Sequence, residues 1–165
     1  MSLPPSHRRV KPPARVGPVM ALDHVEFVYT TGMDEAEVES YLADAATGTL
    51  ALADDGEAYA LPMAIHWDGT RLLLRLGSRP ESHKLAFLET TTTATVVCYE
   101  YEDPEDSWSV LVRGPVVELT GDDYDDARIN ELFPPLRIFD EDTAALDPVV
   151  YALEPEEITG RRTVA

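Results

Sequence analysis

The run TLALADDGEAYALPMAIHWDGTRLLLRLGSRPESHK, residues 49–84, decides how this chain is read. Three apolar stretches, Thr49–Ala53, Ala58–His66 and Thr70–Leu76, are separated by Asp55-Gly56 and Asp68-Gly69. Asp-Gly readily accepts the positive φ of a tight hairpin turn, so the pattern predicts a three-stranded antiparallel meander. Gly77-Ser78 ends the third strand. Pro80 lacks an N–H that the first position of a helix does not need, so it opens a helix over 81–89 with Leu85, Phe87 and Leu88 toward the sheet. A Gly-Ser strand end beside a helix start gathers amide N–H groups, the Ser78 hydroxyl, His83 and Lys84 in one small region. That is the outline of a phosphate or carboxylate site.

Lys84 stands out against the composition. Of 13 basic residues 11 are Arg, and the only lysines are Lys11 and Lys84. Lys11 falls in a Pro-rich leader, which leaves Lys84 as the one lysine of the globular body. A compact ammonium at a helix start matches an anion site; a solvated lysine on a helix surface accounts for it equally well.

At 165 residues the chain is about one domain long and can bury a core without covalent staples. Its formal charge of −18, with 31 acidic residues, repels itself strongly unless salt screens it. Acid-rich and lysine-poor composition points to a halophilic protein from a salt-rich cytoplasm. Residues 1–20 carry Arg8, Arg9, Lys11 and Arg15 and no acid, so the rest of the chain is more acidic still. Such a surface repels nucleic acid and anionic membranes, and neither is expected as a partner. The single cysteine, Cys98, cannot form a disulfide within the chain, which fits a reducing compartment. No run of about 18 apolar residues and no apolar signal region occurs, so a cytoplasmic protein is expected.

Five prolines make residues 1–20 an extended or disordered leader, and 21–165 are read as one domain. A short apolar run at Val25–Tyr29 is broken by Thr31-Gly32. Val38, Tyr41, Leu42 and Ala45 then repeat at helical spacing, with an Asp34/Glu37 capping box, predicting a helix over 34–46 that Gly48 stops. Beyond Lys84, Thr92–Tyr101 reads as a long strand and Glu102–Ser107 as an acidic loop. Trp108–Leu119 reads as a strand with a corner at Gly114-Pro115. A helix over 122–133 capped by Asp122, a Pro134-Pro135 stop and a last strand Val149–Leu153 complete the pattern. About six strands with a few short helices describe a small antiparallel β-barrel with helices at its rim.

The four histidines and one cysteine show no metal-ligand spacing, and no nucleophile elbow, Walker loop or dinucleotide fingerprint is present. What remains is the Ser78, His83, Lys84 corner, the strand segment Pro62-Met63-Ala64, and Trp108-Ser109. Pro62 cannot donate to a ladder, which frees neighbouring peptide groups to meet a planar ligand. Ordinary core packing explains Met63 and Trp108 as well as ligand contact does.

Taken in order, Ala60-Leu61-Pro62-Met63-Ala64, Asp68-Gly69, Gly77-Ser78-x-Pro80-x-Ser82-His83-Lys84, Val96-Val97-Cys98-Tyr99-Glu100 and Ser107-Trp108-Ser109-Val110-Leu111-Val112-Arg113-Gly114 resemble the pyridoxamine 5′-phosphate oxidase-like flavoproteins. The likeness runs from about Met33 to Leu119, with a weaker echo at Glu157–Arg161. It implies a mainly β, six-stranded split barrel that forms a homodimer and binds two FMN molecules between the subunits. On that resemblance Pro62, Met63 and Ala64 lie along the isoalloxazine ring, and Ser78 touches the phosphate or ribityl chain. His83 and Lys84 hold the phosphate, while Trp108 and Ser109 approach the flavin. The strand Ala58–His66 has no Arg or Lys, and the C-terminal segment Gly160-Arg161-Arg162-Thr163 departs from the vitamin-oxidising members. A second phosphate, that of a vitamin B6 substrate, has no evident holder.

The expectation is an FMN-dependent oxidoreductase acting on a small substrate, with His66 shaping the pocket. The competing readings are a deazaflavin-dependent reductase on the same fold and a non-catalytic flavin or haem binder.

Overall fold

The computed structural model describes residues 30–78, 82–120, 124–133 and 147–164. The leader, Val25–Tyr29, Pro80, Asp122 and Pro134-Pro135 lie outside the described residues.

Asp34 accepts from the Glu37 amide at 2.9 Å while the Glu37 carboxylate accepts from the Asp34 amide at 3.0 Å, and this capping box starts α1 (Glu35–Asp44). The helix ends at Ala45, earlier than expected; Gly48 belongs to the next strand rather than to a helix stop. The meander follows as β2 (Thr47–Asp54), β3 (Glu57–Trp67) and β4 (Leu72–Ser78). Asp55 at φ 44° and Gly56 at φ 83° form the expected two-residue turn with both central residues left-handed. The second turn is longer. One Asp68 oxygen accepts from the Thr70 amide, the Thr70 hydroxyl and the Arg71 amide, and so spans the bend.

The chain continues with α2 (His83–Thr90), β5 (Ala94–Asp103), β6 (Asp106–Gly114), β7 (Val116–Leu119), α3 (Asp126–Leu132), β8 (Asp147–Leu153) and β9 (Glu157–Thr163). A short β1 (Thr30–Gly32) pairs with β9. The stretch Glu102–Ser107 is mostly strand, because the Asp103 carboxylate accepts from the Glu105 and Asp106 amides and tightens the hairpin to two residues. Asp125, not Asp122, caps α3.

All pairings are antiparallel, in the order β1-β9-β6-β5-β2-β3-β4-β8-β7. The order closes on itself, because β6 runs into β7 through Gly114-Pro115 and β8 runs into β9 through Glu154-Pro155-Glu156. The Glu154 amide donates to Pro115 O at 3.0 Å and the Glu156 amide to Arg113 O at 2.8 Å, stitching the two corners together. Only glycine fits at 114, where a Cβ would run into the Glu154 carbonyl oxygen. Counted as continuous bent strands, β6/β7 and β8/β9 join β2, β3, β4 and β5 to give the six expected barrel strands, with β1 added at an edge. The fold is an antiparallel split barrel with three short helices among the described residues.

Strand alternation sends one face inward. Leu50, Leu52, Met63, Ile65, Leu72, Leu74, Leu76, Val96, Val110, Val112 and Leu153 fill the interior together with Cys98, and Leu42 of α1 and Leu88 of α2 join them. Each fully buried leucine there stabilises the fold by roughly 1.5–3 kcal/mol relative to exposure. A second cluster lies outside the barrel, where Ile129 and Phe133 cover Ala64, Leu73, Val150 and Ala152.

Candidate functional site

The barrel parts between β3 and β4. Their ladder runs only from Trp67↔Leu72 to Ala64↔Arg75; beyond Arg75, β4 continues to Ser78 paired with β8 alone. The Ile65 amide donates to Ala46 O on the other side, so by alternation the peptide groups of Met63 and Leu61 face β2. Those of Ala60 and Pro62 face the opening. Pro62 therefore places its missing N–H at an edge where no strand needs it, and leaves backbone acceptors and the Ala60 amide pointing into the split.

The helix α2 stands beside this opening. Phe87 stacks on Tyr59 of β3 with ring centroids 5.2 Å apart, and His83 lies 6.5 Å from the same ring and 6.4 Å from Phe87. Asp34 and Asp125 cap α1 and α3 through their carboxylates, but Ser82 makes no side-chain cap on α2, and the first turn of α2 holds no acid. Instead it begins with His83 and Lys84 at the positive end of the helix dipole, an arrangement that favours an anion at the same end.

The proposed site residues thus separate into groups. Pro62 is exposed, at the split; His83, also exposed, and half-buried Lys84 begin α2 nearby. Ser78 ends β4 opposite Asp147. Met63 (4 % exposed) points into the barrel core, and Ala64 (5 %) lies under α3, so both offer the split only their backbone. Trp108 belongs to the inward face with Val110 and Val112. Its ring packs 4.7 Å from Tyr41 of α1 and its indole N–H donates to Glu100 at 3.2 Å. Ser109 lies on the opposite face, paired with Tyr99 and Arg161. With β5 and β2 between β6 and β3, Trp108 and Ser109 stand three strands across from Pro62, and the register, which sets Leu111 level with Pro62, displaces them two to three residues along the sheet as well. One chain does not bring them to the same place. His66 packs edge-on against Phe133 at 6.4 Å, beneath α3.

A cleft of about 440 Å³ lies on the outer sheet face, lined by Thr47, Gly48, Thr49, Pro62, Val97, Tyr99, Glu100 and Tyr101. Tyr99 and Tyr101 are 67 % and 64 % exposed, unusual for large aromatic side chains side by side on one strand face. A smaller cleft of about 290 Å³ opens between α2 and β7/β8, where burial and then the neighbouring Glu118 and Glu89 push the Tyr151 phenol up. Burial pushes the Cys98 thiol up to about 11, so it is a core side chain and no nucleophile.

Sequence reasoning passed over Arg75, because it searched β3 alone for a cation. The signal was present: Leu72, Leu74 and Leu76 face inward, which sets Arg75 on the outer face, opposite Ala64 at the last rung before the split.

No helix among the described residues is long and apolar enough to cross a membrane. The fold is shared with solved structures at low sequence identity. An FAD-binding protein from Mesorhizobium loti superposes with a TM-score of 0.63 at 18 % identity, covering 84 % of this chain and 100 % of that one. An FAD binding protein from Mycobacterium smegmatis gives 0.56 at 20 % identity over 81 % and 99 %, and an FAD and heme binding protein from the same organism gives 0.59 at 19 % over 82 % and 74 %. No functionally curated protein matches the chain in sequence. The profile of the family described as pyridoxamine 5′-phosphate oxidase matches residues 34–162, nearly the whole barrel with its helices, and the chain belongs to that family.

Proposed function

We infer that the split between β3 and β4 holds a flavin, FMN, and that the chain is a flavin-dependent oxidoreductase of a small substrate. The observation that carries this is the early end of the β3–β4 ladder at Ala64↔Arg75, beside a helix whose first turn holds His83 and Lys84 and no acid. The open edge of β3 offers acceptors to the polar rim of a planar ring, and the α2 start offers cations to a phosphate. Family membership and the flavin-binding neighbours support the same reading. When bound, the flavin supplies the electron chemistry; the chain's residues orient it and limit water at one face.

The flavin site is completed by a second copy. The outer face with Tyr99, Tyr101 and Pro62 is the surface that pairs two chains, and the partner brings the Trp108 and Ser109 region toward the flavin that one chain holds too far away. A second reading, a flavin or haem carrier without turnover, draws on the neighbour described as an FAD and heme binding protein.

The test is to purify the chain in molar KCl, record its spectrum before and after incubation with FMN, FAD and a deazaflavin, and follow reduction by nicotinamide donors. The oxidoreductase reading expects FMN to bind and to be reduced with saturable donor dependence. Protein that stays colourless with every flavin removes it, and a bound flavin indifferent to all donors leaves the carrier.

A further inference from the structure

Every described arginine but one is matched to oxygen: Arg71 to Asp68, Arg113 to Glu157, Arg128 to Glu131, Arg161 to Thr30, Arg162 to Glu37. The Arg75 guanidinium makes no hydrogen bond or ion pair among the described residues, in a chain with 31 acids. It is half-buried, and its strand neighbours Ala64 and Val150 are buried under Ile129 and Phe133, so its stem lies against apolar surface. A guanidinium partly withdrawn from water without an acceptor costs stability that a bidentate oxyanion would restore.

Its place is specific. Arg75 sits opposite Ala64 at the last β3–β4 rung, so Pro62 is its diagonal neighbour across the pair, about 7–8 Å away and within reach of a long side chain. Pro62 lines the outer cleft and faces the split. The cleft's own charged group, Glu100, already accepts the Trp108 indole N–H.

We propose that Arg75 is the specificity residue of the split and recognises a carboxylate on the small substrate. This rests on the reading of the split as the flavin site, and names the substrate class that site takes. The planar fork of one arginine matches a monoanionic carboxylate in two parallel bonds; a phosphate dianion asks for more cations than β3 and β4 bring to this point.

The test is calorimetric titration of the full chain, with and without FMN, using benzoate, benzamide and phenyl phosphate in KCl at the lowest concentration that keeps the native far-UV spectrum. Benzoate binds at least tenfold more tightly than benzamide, and Arg75→Met abolishes that preference while the melting temperature without ligand does not fall. In the unmutated chain benzoate, but not benzamide, protects Arg75 from phenylglyoxal, a readout that no variant's folding affects. Equal binding of benzoate and benzamide, a preference that survives Arg75→Met, unprotected Arg75, or phenyl phosphate binding tenfold more tightly than benzoate each overturns the proposal. Failure of FMN to bind while benzoate preference persists removes the flavin reading alone; bound FMN without that preference removes the Arg75 assignment alone.

Discussion

Lys84 and Cys98 show how one side chain can be assigned by what surrounds it. Lys84 shares the first turn of α2 with His83, at the end of the helix where the dipole favours an anion. A charge-assisted contact to phosphate contributes about 1.5–3 kcal/mol, which is roughly 10- to 150-fold in affinity. Lys84→Ala is therefore expected to weaken FMN by at least tenfold and riboflavin, which has no phosphate, by less than twofold, as read by flavin fluorescence quenching. Equal losses would mean that Lys84 acts through folding. Cys98 is the opposite case, a buried thiol whose ionisation is raised from 9.0 to about 11. The folded state favours the neutral thiol, so this contribution to stability is fully present below pH 9.0 and is lost as pH rises through about 11. A thiol reagent at pH 8 should modify Cys98 only in denaturant; rapid labelling of native protein would contradict the core placement.

Turns, caps and corners are the elements that local chemistry writes most plainly. The Asp55-Gly56 turn, the Asp34/Glu37 box and the Gly114-Pro115 corner were all legible, since each depends on a few adjacent residues. β9 was not. Its residues Glu157–Thr163 include two arginines and a glycine, and it becomes a strand only because β6 and β1 lie on either side of it. The facing of Met63 and Trp108 could have been read from alternation with Ile65 and with Val110, whereas the distance from Trp108 to Pro62 depends on strand order, which no local pattern encodes. These elements differ in how much they bear. Asp34→Ala removes one side of a cap and should cost about 1 kcal/mol in urea unfolding. Gly114→Ala drives a Cβ into the Glu154 carbonyl where backbone must move, and should cost about 3 kcal/mol or prevent folding. A Gly114→Ala protein as stable as the parent would refute the close approach of the two corners. Asp68 is pushed up by burial, but the Arg71 and Thr70 amides, the Thr70 hydroxyl and the Arg71 guanidinium together lower it below 3.8. Its contribution is present above that value and fades as pH falls through the lowered one.

The whole molecule carries a charge of −18, and its barrel presents an outer face with two exposed tyrosines beside a cleft. Self-repulsion of that size falls as salt shortens the screening length from about 10 Å at 0.1 M to about 3 Å at 1 M. The urea midpoint should therefore rise between 0.1 M and 2 M KCl; a midpoint independent of salt would show that the acids are compensated within the fold. The central claim is that the gap left by the short β3–β4 ladder grips a flavin whose phosphate rests on α2. A crystal structure of the chain grown with FMN tests it most directly. The account predicts the phosphate within hydrogen-bonding distance of His83 and Lys84, and the ring edge against Pro62 in a crevice shared by two copies. FMN bound elsewhere, or an α2 start open to solvent and remote from any second copy, would contradict it.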